Sequence, residues 1–133
     1  MNPTQVYSAI DTATTLDIPA LIWGKPGVGK SQTVQTFASD KKMTLIDQRL
    51  SQLDPVDLRG IPYKSKLGTT EWAVPGFLPQ IERDGEFGIL FLDEINKAAQ
   101  SVQAAAYQLI LDRRLGDYVL PSGWRLLAAG NNT

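Results

Sequence analysis

The 133 residues contain no cysteine and no histidine. The first absence removes disulfides, thiolate nucleophiles and cysteine-ligated metals. The second removes imidazole acid–base chemistry and histidine-bound metals. Any catalysis by this chain therefore runs on carboxylates, lysine, arginine, hydroxyls, amides and bound ions. An excess of one charge is missing as well: 13 Lys and Arg stand against 14 Asp and Glu, a formal net charge of −1. No basic stripe of the kind that holds nucleic acid by its phosphates is evident, which argues against a nucleic-acid partner. No run is long and apolar enough to span a bilayer. Met1-Asn2-Pro3-Thr4-Gln5 lacks the basic stretch and apolar core of a signal peptide. The expectation is a cytoplasmic protein with no membrane partner. What is present, 43% hydrophobic and 20% charged residues, suits one domain with its own core.

One stretch carries most of the chemistry. Gly24-Lys25-Pro26-Gly27-Val28-Gly29-Lys30-Ser31 reads G-x-x-x-x-G-K-S, a complete phosphate-binding loop, with Gln32 next to it. Its glycines let successive backbone N–H groups point into one concavity that suits a polyphosphate. Lys30 adds a positive charge for the β- and γ-phosphates. Ser31 offers a hydroxyl to the magnesium ion that accompanies them. The apolar run Ala20-Leu21-Ile22-Trp23 before the loop reads as a buried strand. Ser31 to Ser39 after it reads as a helix whose N-terminus adds partial positive charge. The bland alternative is a loop that keeps its shape without a ligand.

The rest of the chain alternates strands and helices. Val6, Ala9, Ile10 and Ala13 recur at helical spacing and predict a helix over about Pro3 to Thr14, broken by Asp17-Ile18-Pro19. Met43 to Arg49 predicts a second strand. Leu50 to Gln80 carries Pro55, Gly60, Pro62, Gly68, Pro75, Gly76 and Pro79, and reads as loop with a hairpin of Ile61 to Lys64 against Thr70 to Val74. Gly88 to Leu92 is an unbroken apolar run of the kind buried on both faces of a parallel sheet. Asn96 to Arg113 predicts a helix with Val102, Ala105, Ala106, Leu109 and Ile110 on one side. Leu115 to Gly123 predicts a small hairpin, and Trp124 to Ala129 a fourth strand. Such alternation gives a parallel sheet with ligands at the carboxyl ends of its strands. The loop after strand one, Asp93-Glu94 after strand three and Asn131 after strand four then share one edge.

Asp93 and Glu94 end an apolar strand. Magnesium takes one or two carboxylates and keeps several waters, so Asp93 with Ser31 is the candidate metal pair, Asp93 acting through a metal-bound water. Glu94 is then the candidate base that orients or deprotonates the water attacking the γ-phosphate. A helix-capping Asp beside an exposed Glu is the alternative. Asn131 can hydrogen-bond the γ-phosphate or the attacking water, or else be a turn residue.

Phosphate loop, apolar strand ending in Asp-Glu, then strand ending in Asn: this order resembles the AAA+ ATPases, whose terms for the three are Walker A, Walker B and sensor 1. Asp57-Leu58-Arg59-Gly60-Ile61-Pro62, Thr70-Glu71-Trp72-Ala73-Val74-Pro75-Gly76, Asp93-Glu94-Ile95-Asn96-Lys97-Ala98 and Arg113-Arg114-Leu115-Gly116 resemble signatures of the MoxR-like and dynein-related group. The resemblance implies an α/β P-loop NTPase fold, three layers α/β/α around a parallel sheet, with small hairpin insertions. It implies binding of ATP and ADP, Mg2+-dependent hydrolysis with Lys30, Glu94 and Asn131 in the reaction, and remodelling of an undefined protein client. It also implies self-association into hexameric rings, with an arginine reaching in from a neighbour. Arg49, Arg59, Arg113 and Arg114 are candidates, none of them assigned.

The family's fifth strand, lid and usual arginine finger come after sensor 1. Residues 1–133 are therefore read as the N-terminal part of such a domain, with four core strands and the first left at an edge. Weakened nucleotide binding and slow or absent hydrolysis are expected. Competing functions are a nucleotide-gated binding module without efficient hydrolysis, and a nucleic-acid motor or loader of the same superfamily.

Overall fold

A computed structural model describes residues 3–24, 29–53, 62–64, 70–72, 78–115 and 118–131. In chain order it contains α1 (Pro3–Leu16), β1 (Ala20–Gly24), α2 (Lys30–Asp40), β2 (Thr44–Arg49), β3 (Pro62–Lys64), β4 (Thr70–Trp72), α3 (Ile81–Asp84), β5 (Gly88–Asp93), α4 (Gln100–Asp112), β6 (Arg114–Leu115), β7 (Tyr118–Val119) and β8 (Trp124–Asn131). Four strands make one parallel sheet in the order β1-β8-β5-β2. β3 with β4, and β6 with β7, make two antiparallel hairpins. The expected α/β class, parallel sheet and edge position of the first strand are all observed.

Alternation along the strands builds two cores. Successive side chains point to opposite faces, so Ile89 and Phe91 of β5 join Ile22, Leu127 and Ala129 on the face covered by α1 and α2. Leu90 and Leu92 join Leu126 and Ala128 on the face covered by α4. α1 brings Val6 and Ile10 to the first core, and α2 brings Val34 and Phe37. α4 brings Val102, Ala106 and Leu109 to the second. The expected stripe of α4 is therefore correct, with Ala105 and Ile110 at its half-buried margin. The result is three layers, α/β/α.

Element ends follow local chemistry. α1 stops where Asp17 takes φ 55° and the N–H groups of Asp17 and Ile18 bond back to the carbonyls of Thr14 and Ala13. That is the left-handed helix ending usually given to glycine. Asp17 is held there by Arg113 at 3.5 Å and Arg125 at 3.3 Å. α4 begins at Gln100, four residues after the sequence-predicted Asn96, because Ile95–Lys97 form a 3-10 turn that drives Ile95 fully into the core. The one-turn helix α3 and the 3-10 turn Leu50–Gln52 carry too few residues to show a periodicity in sequence.

The β6–β7 hairpin is latched to the body. Tyr118 Oη donates to the Pro79 carbonyl at 2.6 Å. Burial first, and the negative charge of Asp84 second, push its phenol from 10.0 up to about 12. An acid with a raised folded-state pKa keeps its proton longer in the folded chain than in the unfolded one. Its contribution is therefore present below pH 10.0 and lost as pH rises toward about 12. Tyr118→Phe is expected to cost about 1 kcal/mol at neutral pH through loss of the hydrogen bond, and to flatten the alkaline decline. Thermal unfolding at neutral and alkaline pH checks both; equal curves for the two proteins would contradict the latch.

Candidate nucleotide site

The carboxyl end of the sheet gathers the start of α2 and the ends of β5, β8 and β2. Gly29 precedes α2 at φ 76°, a left-handed conformation that glycine takes without strain. Its carbonyl accepts hydrogen bonds from the Thr33 amide and hydroxyl, both at 2.9 Å. α2 thus presents a fixed N-terminus.

Lys30 is 7% exposed, and its Nζ donates to the Gly130 carbonyl at 3.2 Å. Ser31 Oγ donates to Asp93 Oδ2 at 3.0 Å. The other carboxylate oxygen of Asp93 accepts the Glu94 amide at 2.8 Å. Glu94 itself sits at φ 55°, so the chain turns sharply as β5 ends. Arg49, the last residue of β2, lies opposite Asp93 in register and places its Nε 3.7 Å from Glu94 Oε1. Asp47, two residues earlier on β2, has its carboxyl pushed above the usual range by desolvation and then by the negative charge of Asp93; the nearby Arg49 charge opposes this.

Sequence reading placed Lys30, Ser31, Asp93 and Glu94 at one end of the sheet, and the structure brings them together there. Gly24 is the last residue of β1, opposite Asn131. Asn131 belongs to β8 as its last residue instead of following the strand, so the expected end at Ala129 is two residues short. The Asn131 side chain lies outside the described residues. So do Lys25, Pro26, Gly27 and Val28, most of the 57–76 signature and the 116–117 turn. Gln32 is exposed and helps line a groove of about 620 Å³ between α2 and α1, with Gly29 and Thr33 on one wall and Tyr7, Ser8 and Asp11 on the other.

Two contacts escaped sequence reading. The Arg49–Glu94 pair depends on the β2–β5 register, which single-sequence periodicity does not supply. The Lys30–Gly130 contact depends on β8 lying beside β1. Arg113, a candidate for reaching a neighbour, instead donates to the carbonyls of Pro121 at 3.0 Å and Trp124 at 2.8 Å and pairs with Asp17. Those contacts commit it to its own fold.

The donor set suits magnesium. Ser31 and Asp93 offer hard oxygens already within one hydrogen bond of each other. Among the described residues there is no group of three or more His, Cys, Asp or Glu that could hold a metal. Also among the described residues, no helix is long and apolar enough to cross a membrane.

A lysine-serine helix start after the first strand, set beside an Asp-Glu strand end in a three-layer parallel fold, defines a P-loop NTPase domain. The chain matches the AAA domain, dynein-related subfamily, over residues 19–132, and it belongs to that family. Membership makes it an ATPase domain by family. It is similar to midasin of Giardia intestinalis, with 36% identity over 115 residues, covering 84% of this chain and 2% of midasin. A RuvB mutant of Thermotoga maritima superposes with a TM-score of 0.63 at 20% identity, over 97% of this chain and 39% of that one. NtrX of Brucella abortus in complex with ATP superposes with a TM-score of 0.58 at 16% identity, over 98% of this chain and 29% of that one. The chain thus spans a small part of midasin and less than half of those solved chains.

Proposed function

We propose that this chain binds ATP with Mg2+ and hydrolyses it as the nucleotide-binding core of a MoxR-like, protein-remodelling ATPase. The observation that carries this is the Ser31–Asp93 hydrogen bond, which puts the phosphate-loop helix and the Asp-Glu strand end in one site. Family membership and the ATP complex of NtrX support the nucleotide assignment. In this reading the α2 N-terminus and Lys30 hold the β- and γ-phosphates. The groove beside Gly29 and Gln32 takes the nucleoside end. Ser31 and Asp93 would hold Mg2+, which when bound neutralises phosphate charge. Glu94 accepts the proton of the water that attacks the γ-phosphorus, as the bond to the ADP oxygen breaks. Asn131 completes the phosphate contacts. Copies assemble into a ring in the cytoplasm, a neighbour supplies the arginine, and a protein is the client.

The test is direct. ATP should bind with Mg2+ present, and phosphate release should stop when a chelator removes the metal. Absence of ATP binding to the folded chain would overturn the reading.

A second reading, a nucleotide-gated binding module, draws on the Arg49–Glu94 pair, because a carboxylate engaged by a cation is less available to a water. The pair is open, with the Arg49 side chain 61% exposed, and exposed pairs are weak. Arg49→Ala is therefore expected to raise phosphate release by no more than about fivefold, with ATP affinity unchanged. A slower variant would mean that Arg49 assists Glu94 instead of restraining it.

A further inference from the structure

Two tryptophans in this sheet stand over glycines on the neighbouring strand. Trp124 is opposite Gly88 in register, and Trp23 is opposite Gly130. A Cβ built on either glycine would lie 2.5 Å from the facing indole, closer than real side chains approach. The two pairs differ in setting. Trp124 is fully buried and fills the core, and its indole N–H donates to the Gly85 carbonyl at 3.0 Å. Trp23 sits on the edge strand and is 42% exposed. Core filling alone does not explain it.

What lies beneath Trp23 does. Gly130 is the residue whose carbonyl accepts Lys30 Nζ at 3.2 Å. The residue after Trp23 is Gly24, which opens the phosphate loop and pairs with Asn131. Two successive rungs of the sheet therefore join the indole, the lysine's carbonyl partner and Gly24. They lie past the end of the β5–β8 register. β5 pairs with β8 only as far as Ala128, whereas β1 pairs with it through Asn131. Among the described residues, the strand end from Ala129 onward is paired from the β1 side alone.

We infer that Trp23 is a positioning residue for Lys30: its indole reserves the space over Gly130, keeps that position free of a side chain, and so fixes the carbonyl that places the Lys30 ammonium. A side chain at 130 must displace either the indole or the singly paired strand end. The strand end gives way, and the Gly130 carbonyl leaves Lys30. This rests on the reading of Lys30 as the β- and γ-phosphate contact.

A double-mutant cycle tests it, with Mg-ATP and Mg-ADP titrated by calorimetry into the full 133-residue chain. Gly130→Ala is expected to weaken ATP about tenfold, and ADP less, in the presence of Trp23. In a Trp23→Val background the same substitution is expected to cost less than about twofold, because the methyl group then has room. A merely structural role would lower the thermal midpoint without separating ATP from ADP. Equal effects of Gly130→Ala in the two backgrounds, or none in either, overturn the inference while leaving the nucleotide site standing. A wild-type chain that folds and binds neither nucleotide removes the site and the inference together. Should Gly130→Ala fail to fold, Trp23→Val alone decides: loss of the indole is expected to weaken ATP about threefold more than ADP, and unchanged affinities overturn the proposal.

Discussion

Glu94→Gln is expected to leave ATP affinity within about twofold of wild type and to cut phosphate release by roughly 10²–10⁴-fold. Glutamine has the same shape and fits the same φ 55° turn after β5 as well as glutamate does. The exposed Arg49 pair at 3.7 Å contributes little to lose, and Asp93 keeps its bonds to Ser31 and to the residue 94 amide. Only the capacity to take a proton is lost. The effect should therefore fall on the chemical step and spare binding, which is the signature of an interaction made only in the transition state. Calorimetry for affinity and a phosphate-release assay for turnover separate the two. An unchanged rate would mean that Glu94 is not the base.

Lys30→Met should act on the opposite side of that division. Lys30 is almost wholly buried, and burying an ammonium costs free energy unless its partners compensate. Methionine keeps the length and apolar body of the side chain without the charge. The nucleotide-free variant is therefore expected to melt no lower than wild type. Its ATP affinity should fall by about 10–100-fold, the size of one lost charge-assisted hydrogen bond. The rise in melting temperature that saturating ATP gives wild type should shrink accordingly. Thermal scans with and without Mg-ATP read both quantities. A variant that melts well below wild type and binds ATP normally would make Lys30 a structural residue.

The parts of the fold that were legible share a physical cause. β5 could be read because it is buried on both faces, so Gly88 to Leu92 is uniformly apolar. α4 could be read because Val102, Ala106 and Leu109 repeat at helical spacing. Lys30 and Ser31 were expected beside Asp93 because a phosphate cradle needs a lysine and a hydroxyl at fixed spacing after its glycines, and the Ser31–Asp93 hydrogen bond is the contact the structure shows. The Arg49–Glu94 contact and the Trp23–Gly130 pair were not, since each is made by strands neighbouring in space and distant in sequence. The expected helix start at Asn96 was four residues early, because Ile95 is fully buried and the chain passes through a 3-10 turn first.

The strand order has a consequence for how the protein is made. β8 is synthesised after β1, β2 and β5, yet it lies between β1 and β5 and is the sole sheet link between them among the described residues. Ala20 must wait for Leu127. While residues 124–131 are still inside the ribosome, β2 and β5 can already pair, but the strand leading into the phosphate loop has no sheet to join. Nucleotide can therefore template the insertion of β8 and not the β2–β5 pairing that precedes it. With so much of the sheet closed at long sequence separation, that step should be slow, and a nascent chain stalled before Trp124 should be indifferent to ATP.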